Sequence, residues 1–260
     1  MVLLPKAKIM KRYLLFIILL FTVSSSAQEY REIHCKHFFY GIPKGTPITN
    51  DLIIRDNYAL SSNDQTKFAD WVCYVLDNDT VSGDVQTERK WKADPWLFDN
   101  ETLEPPDYKG IGELLKSDRG HQAPLASFKG TKSWADTNYL SNITPQKSEL
   151  NQGAWKRLED WERELVCAGN TVYVITGPLY EQEMEPLPYA DEPHKIPSGY
   201  WKIIVLPAPE IKVFSYIFPQ NTPRDAKFED YACSVDEIEK RTGLDFMSEL
   251  TDEIEEKIEK

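Results

Sequence analysis

The residues best suited to chemistry lie between Arg89 and Arg163. Asp118-Arg119-Gly120-His121-Gln122-Ala123-Pro124 puts two charged groups, a glycine and a histidine ahead of a chain-breaking proline. Downstream come Ser141-Asn142-Ile143-Thr144-Pro145-Gln146 and then Leu150-Asn151-Gln152-Gly153-Ala154-Trp155, with Glu159 and Arg163 further along. An imidazole has an ordinary pKa near 6.5, so His121 can act as a base at neutral pH. Asn151 offers one hard, uncharged oxygen, which suits Zn²⁺ poorly as a sole ligand. It suits Mg²⁺ better, because that ion keeps most of its waters and takes further oxygens from a substrate phosphate. Glu159 follows Asn151 by roughly 12 Å of helix rise, too far for both to ligate one ion directly. The reasonable division puts Asn151 on the metal and leaves Glu159 holding one of the metal's waters. Each residue also has a plainer reading. Asn151 could cap a helix, Glu159 and Arg163 could be a helix-surface ion pair, and Arg119 could pair with Asp118. Arg89, in Thr87-Glu88-Arg89-Lys90, reads alone as an exposed loop charge.

These groups need two strands and a helix to hold them. The polar residues sit at strand ends and along a helix expected from about Asn151 to Cys167. Trp155, Leu158, Trp161 and Leu165 mark its buried side, and Gly169 stops it. Strand-like runs are Trp71–Leu76, Tyr139–Ile143, Val172–Thr176, Tyr200–Leu206 and Lys212–Phe218, rich in aromatic and β-branched residues. A second helix should open at Ser234, whose spacing to Glu237 makes a capping box, and end at Gly243. The tail from Asp245 reads as an acidic, solvated helix. Trp155, Trp161 and Trp201 are assigned to the core. Strands and helices mix without a βαβ rhythm and no linker or repeat interrupts them. The expected class is therefore α+β, a single domain.

The chain has 260 residues, 41% apolar and 12% aromatic, which excludes disorder and low-complexity classes. Lys6, Lys8, Lys11 and Arg12 precede the apolar run Tyr13 to Val23, which gives way to Ser24-Ser25-Ser26-Ala27. That is the pattern of a secretory signal peptide cleaved after Ala27, leaving residues 28–260 as the exported domain. The run has about half the roughly 20 residues a membrane span needs, so the mature form is not expected in a membrane; its place is periplasmic or extracellular. The formal charge is −12, and losing residues 1–27 removes four positive and no negative charges, leaving −16. Of the four cysteines, Cys73 and Cys167 read as buried small hydrophobes, and Cys35–Cys233 is the disulfide that export would permit. No zinc-binding spacing occurs.

Three segments carry a family resemblance: Asp118–Pro124, Asn138–Leu158 and Ile175–Tyr180. They closely resemble the DNA/RNA non-specific endonucleases, the Serratia nuclease and endonuclease G type, with a ββα-metal active site. Further matches run from Phe68-Ala69-Asp70-Trp71-Val72 through Arg89-Lys90-Trp91-Lys92, Asp94-Pro95, Ile196-Pro197-Ser198 and Tyr200-Trp201-Lys202 to Val235–Leu244. The resemblance implies a central antiparallel sheet flanked by helices. It further implies an endonuclease that cleaves single- and double-stranded DNA and RNA to 5′-phosphorylated products, since contacts to backbone phosphate carry no sequence information.

The resemblance also assigns roles. His121 is the general base, and Asn151 is the direct ligand of one Mg²⁺, with Mn²⁺ a substitute. Arg89 and Arg119 neutralise charge developing on the phosphorane. Glu159 orders the metal's waters, Asn142 supports the His121 side, and Asp118 and Gln146 stand behind these groups. Arg163 and Arg89 contact substrate phosphate. A monomer or a homodimer is expected: oligomeric state varies in the family with its peripheral surfaces, and residues 28–56 and the short acidic C-terminus are where this chain matches least well. The −16 charge requires the acids to lie elsewhere while Arg89, Lys90, Lys92, Arg119, Lys129, Lys132 and Arg163 gather near the cleft. Two other classes use the same residues: a nucleic-acid-binding protein that has lost catalysis, and a metal-dependent phosphodiesterase for small substrates.

Overall fold

The computed structural model describes residues 33–84 and 89–258; the leader expected over residues 1–27 lies outside the described residues. Runs rich in aromatic and β-branched residues build most of a seven-stranded antiparallel sheet. Its strands, in spatial order, are β1 (Asp51–Ile54), β2 (Ala59–Ser62), β3 (Ala69–Leu76), β6 (Val172–Leu179), β7 (Gly199–Leu206), β8 (Lys212–Pro219) and β9 (Ala232–Cys233). A separate two-stranded sheet pairs β4 (Ser117–His121) with β5 (Ile143–Lys147). The helices are α1 (Asn78–Val81), α2 (Ile111–Leu114), α3 (Ser148–Leu150), α4 (Lys156–Cys167), α5 (Val235–Thr242) and α6 (Asp252–Ile258). Among the described residues no helix is long and apolar enough to cross a membrane.

The sheet is covered on both faces, which is the expected α+β arrangement. One face packs Tyr74, Val174, Ile204 and Phe218 against Trp155, Leu158 and Val166 at the front of and along α4. The other packs Trp71, Ile175, Trp201 and Ile203 against Val235 and Ile238 of α5 and against Phe246. A third cluster, with Phe68, Tyr108, Leu140 and Ile143, underlies the β4–β5 pair. The assignment of Trp155 and Trp201 to the core holds: both are fully buried. Trp161 is half-buried against Phe214 and Phe228.

Strand β7 is buried along its whole length, and its period of two sends Lys202 to the α4 face beside Tyr200 and Ile204. That ammonium has no access to water. Its Nζ donates to Glu162 Oε1 at 2.7 Å and to the Tyr74 hydroxyl at 3.3 Å, and Tyr74 in turn donates to Glu162 Oε2 at 2.9 Å. The same Nζ lies 4.4 Å from the Trp155 ring centre. Both charges in the triad are paired, which offsets desolvation and ties α4 to β7 and β3.

Several sequence expectations are corrected. The strand expected over Tyr139–Ile143 begins only at Ile143; Leu140–Asn142 form a 3₁₀ turn, because Ser141 and Asn142 spend their side chains on Asp94 and on backbone groups. The long helix begins earlier, at Ser148, and is interrupted before Lys156. Ser234 caps α5 by accepting from Glu237 N at 3.2 Å, without a return bond from the Glu237 side chain. The tail is helical only from Asp252, since Asp245 pairs by backbone hydrogen bonds with Lys44. Cys35 and Cys233 are free thiols. Cys233 sits on β9 with its Sγ 4.0 Å from Ser215 Oγ, while Cys35 lies near the buried Cys73. Cys73 is buried as expected, but Cys167 is exposed, because the last turn of α4 turns Val166 inward instead. Strands β1 and β2 had no sequence expectation.

Lys202→Met or Glu162→Leu alone strands one buried charge and should cost about 3–5 kcal/mol in urea denaturation. The double variant should recover most of that loss, because it removes both charges from the core. Additive losses in the double variant would show that the triad is not coupled.

Candidate active site

The site is assembled from the turn of chain around β4 and β5. In the antiparallel register His121 faces Ile143, Gly120 faces Thr144 and Asp118 faces Gln146. Gly120 has a steric reason: a Cβ there would sit 2.7 Å from the Gln146 side chain. Gln146 is buried over that glycine, with neither amide atom hydrogen-bonded. Asn142 is fully buried and does not reach the cleft. Its Oδ1 accepts from Ala123 N at 2.8 Å and its Nδ2 donates to Ala123 O and Thr137 O, which pins the chain just beyond His121.

His121 itself is held by a residue the sequence did not single out. Its Nε2 lies 3.3 Å from Asn138 Oδ1, and Asn138 Nδ2 donates to Ala135 O. The amide therefore presents its oxygen to the ring, so Nε2 carries the proton and the lone pair is on Nδ1. The Trp91 ring packs on the imidazole at a centroid distance of 5.3 Å.

Asp118 joins this strand to the helix opening. Its Oδ1 accepts from Ser148 Oγ at 2.8 Å; its Oδ2 accepts from Asn151 Nδ2 at 2.9 Å and Gln152 Nε2 at 2.8 Å. With Nδ2 so committed, Asn151 has its Oδ1 left for a ligand. Asn151 has helical backbone angles and makes no capping bond, which removes the N-cap reading. Residues Asn151–Trp155 form a π-helical turn with Gly153 off the helical region. A Cβ on Gly153 would lie 2.6 Å from the Arg224 carbonyl oxygen, so only glycine lets the loop after β8 close on the turn. Arg224 then donates to Gln152 Oε1 at 2.9 Å.

These elements enclose an open cleft of about 220 Å³ lined by Arg89, Arg119, His121, Asn151, Glu159 and Arg163, with Gln152 and Lys156 at its edge. Six of the expected site residues thus meet in one place, while Asp118, Asn142 and Gln146 do not line it. Arg119 lies between the Trp91 and Tyr108 rings, its Cζ 5.5 and 5.4 Å from their centres, and its Nε has no partner. It does not pair with Asp118. Arg163 donates to Ser127 Oγ at 3.0 Å and to Asp160, not to Glu159 as an i,i+4 pair. Asp160 also holds Lys156. Of the other expected cations, Lys90 and Lys92 line a neighbouring cavity and Lys129 lies 3.9 Å from Asp84.

Burial decides the protonation states. It lowers His121 to about 4, aided by the Arg89 charge and opposed by the Asn138 bond, so the imidazole is neutral over the physiological range. Burial raises Glu159 to about 7, opposed by Lys202 and Arg163 and aided by Glu162. A carboxyl in that condition gains from a cation placed beside it. Clusters of three His, Cys, Asp or Glu able to hold a metal occur among the described residues only elsewhere, at Asp51/Asp64/Glu101 and Asp107/Asp191/Glu192. The cleft instead offers one amide oxygen and one carboxylate, a donor set for an ion that keeps its waters.

The family model for DNA/RNA non-specific endonucleases matches residues 39–253. The chain is 48% identical over 243 residues to the nuclease of Serratia marcescens, covering 91% of this chain and 89% of that one. It is 31% identical over 220 residues to the mitochondrial endonuclease G of Homo sapiens, covering 79% and 72%. The crystal structure of an EndoG/EndoGI complex shares the fold, with a TM-score of 0.68 at 24% identity over 82% of this chain and 90% of that one.

The lowered pKa of His121 also has a signature in stability. The unfolded chain binds a proton near pH 6.5 and the folded chain only near 4. The stabilisation is therefore complete above about 6.5 and is lost as pH falls through 4. Denaturation midpoints of His121→Gln, measured from pH 7.5 to 4, should fall less steeply than those of the wild type. Parallel curves would show that the fold does not hold this ring neutral.

Proposed function

The chain belongs to the DNA/RNA non-specific endonuclease family, and from that premise we propose that His121, Asn151 and Glu159 form the centre that hydrolyses the phosphodiester. The reading is carried by one observation: His121, Asn151, Glu159 and three arginines, drawn from separate stretches of chain, line a single open cleft. An open groove suits a polymer, single- or double-stranded DNA or RNA, and cleavage would leave 5′-phosphates.

In this reading neutral His121 takes a proton from the attacking water on Nδ1 while Asn138 keeps Nε2 protonated and the ring in place. Arg119, wedged between two rings, and Arg89 present positive charge to the pentacoordinate phosphate. Asn151 Oδ1, aimed by Asp118, and Glu159 are the groups that would hold Mg²⁺, or Mn²⁺ in its place, Asn151 directly and Glu159 through a water. When bound, that ion supplies charge stabilisation for the scissile phosphate and the leaving 3′ oxygen. Asn142 and Asp118 act from behind, by fixing the backbone and the amide that the chemistry uses, and Gln146 packs over Gly120 beneath them. Arg163, anchored on Asp160 and Ser127, contributes to substrate binding at the cleft edge. The basic, apolar and small-residue succession of residues 6–27 supports export to the periplasm or medium, with the mature protein a monomer or homodimer outside the membrane.

Purified protein should degrade both supercoiled plasmid and long RNA in Mg²⁺, and neither in EDTA. His121→Ala should slow cleavage by about 10²–10⁴-fold. Intact polymers in Mg²⁺ would move the small-phosphodiester and binding-protein alternatives to the front. Metal binding can be read separately from activity: Mg²⁺ should raise the melting temperature of the wild type and leave Asn151→Ala almost unmoved. An equal shift in both proteins would place the ion elsewhere.

A further inference from the structure

The segment that brings Arg89 to the cleft has a second face. Arg89 lines the cleft and Trp91 lies against His121 and Arg119. The alternate residues Lys90 and Lys92 line a different cavity of about 310 Å³, together with Trp134, Asp136, Asn138 and Tyr139. The side chains of Arg89–Lys92 are thus divided between two adjoining depressions. Backbone bonds hold the segment in place: Lys92 N donates to Asn138 O at 3.4 Å and Leu140 N to Lys92 O at 2.9 Å. Asn138 is the shared wall, lining this cavity and bonding His121 by Oδ1.

We infer that this cavity is a subsite for the nucleotide adjoining the scissile phosphate, its neighbouring phosphate held by Lys90 and Lys92 and its base laid on Trp134. The inference rests on the nuclease reading and adds to it where the strand goes next. A polynucleotide with one phosphate at His121 must continue to at least one side, and this cavity is separated from His121 by one side chain. Lys90 and Lys92 are both exposed, and their charge complements a phosphodiester. Trp134 is half-exposed with its inner side on the core. The Tyr139 ring already carries the Arg55 guanidinium, 4.4 Å from its centre, which leaves Trp134 as the stacking surface. Asp136 supplies a carboxylate that can accept from a base amino group. No contact of this kind requires a particular sequence, so the subsite suits an enzyme reading backbone and stacking alone.

The test compares two substrates, long single-stranded DNA and the small diester bis(p-nitrophenyl) phosphate, which is too short to reach the subsite. In Lys90→Ala/Lys92→Ala the ratio of kcat/KM for DNA to that for the small diester should fall about tenfold. The slope of log kcat/KM for DNA against log salt should flatten by about one to two. Trp134→Ala should raise KM for DNA by about tenfold through lost stacking; should it fail to fold, the lysine pair decides alone. An equal loss on both substrates would make the lysines supports of the His121 site and overturn the subsite, as would unchanged DNA cleavage. Failure of the wild type to cut DNA while it hydrolyses the small diester would instead sink the nuclease reading, and the subsite with it.

Discussion

The carboxylate of Asp118 is the junction on which the site depends. It receives hydrogen bonds from Ser148, Asn151 and Gln152, so one side chain ties β4 to the start of the long helix. His121 leaves the same strand three residues later, and its distance from Asn151 follows from that tie. The bond also orients Asn151: an amide that gives its nitrogen to Asp118 keeps its oxygen for the cleft. Gln152 carries the constraint outward to Arg224, whose loop closes over the bare backbone of Gly153. A π turn, a glycine and an acidic residue are thus parts of one device. An uninterrupted α-helix would rotate Asn151 relative to Glu159.

Charge is arranged in layers around this junction. At the core, Lys202, Glu162 and Tyr74 satisfy one another and fix α4 on the sheet. One turn closer to solvent, Glu159 feels Lys202 as its strongest opposing influence against burial, so the structural triad also bears on the carboxylate in the cleft. Toward the substrate, the arginines surround a neutral imidazole. A protein of net charge −12 can therefore present a positive cleft, because Arg89, Arg119, Lys156 and Arg163 converge there. Asp160 keeps Lys156 and Arg163 in position and tempers their charge.

Much of this was legible in the sequence for physical reasons. His121, Asn151 and Glu159 could be chosen because their types suit base, hard ligand and water-holding carboxylate, and their spacing fits strands leading into a helix. Runs rich in aromatic and β-branched residues located β3, β6, β7 and β8, and a three- and four-residue apolar pattern located α4. The misses share a cause: they depend on what a side chain bonds to across the fold. Asn142 was expected to support the His121 side, and its partners for doing so, Ala123 and Thr137, are not visible in the sequence. Arg163 was expected to contact substrate phosphate, and nothing in the sequence shows that Ser127, 36 residues away, anchors it. The thiols of Cys35 and Cys233 were a permitted pair, and the structure gives each different neighbours.

The sequence by itself determined the fold class and the inventory of groups able to do phosphate chemistry, because both follow from residue type and local periodicity. Only the tertiary structure decided which groups converge. Asn138 reaches His121 across 17 residues of chain, and Gln152 reaches Arg224 across 72. It alone decided the protonation states as well: a histidine near 4 and a glutamate near 7 are products of burial and of neighbouring charge. Desolvation depends on three-dimensional packing, and no local pattern encodes it.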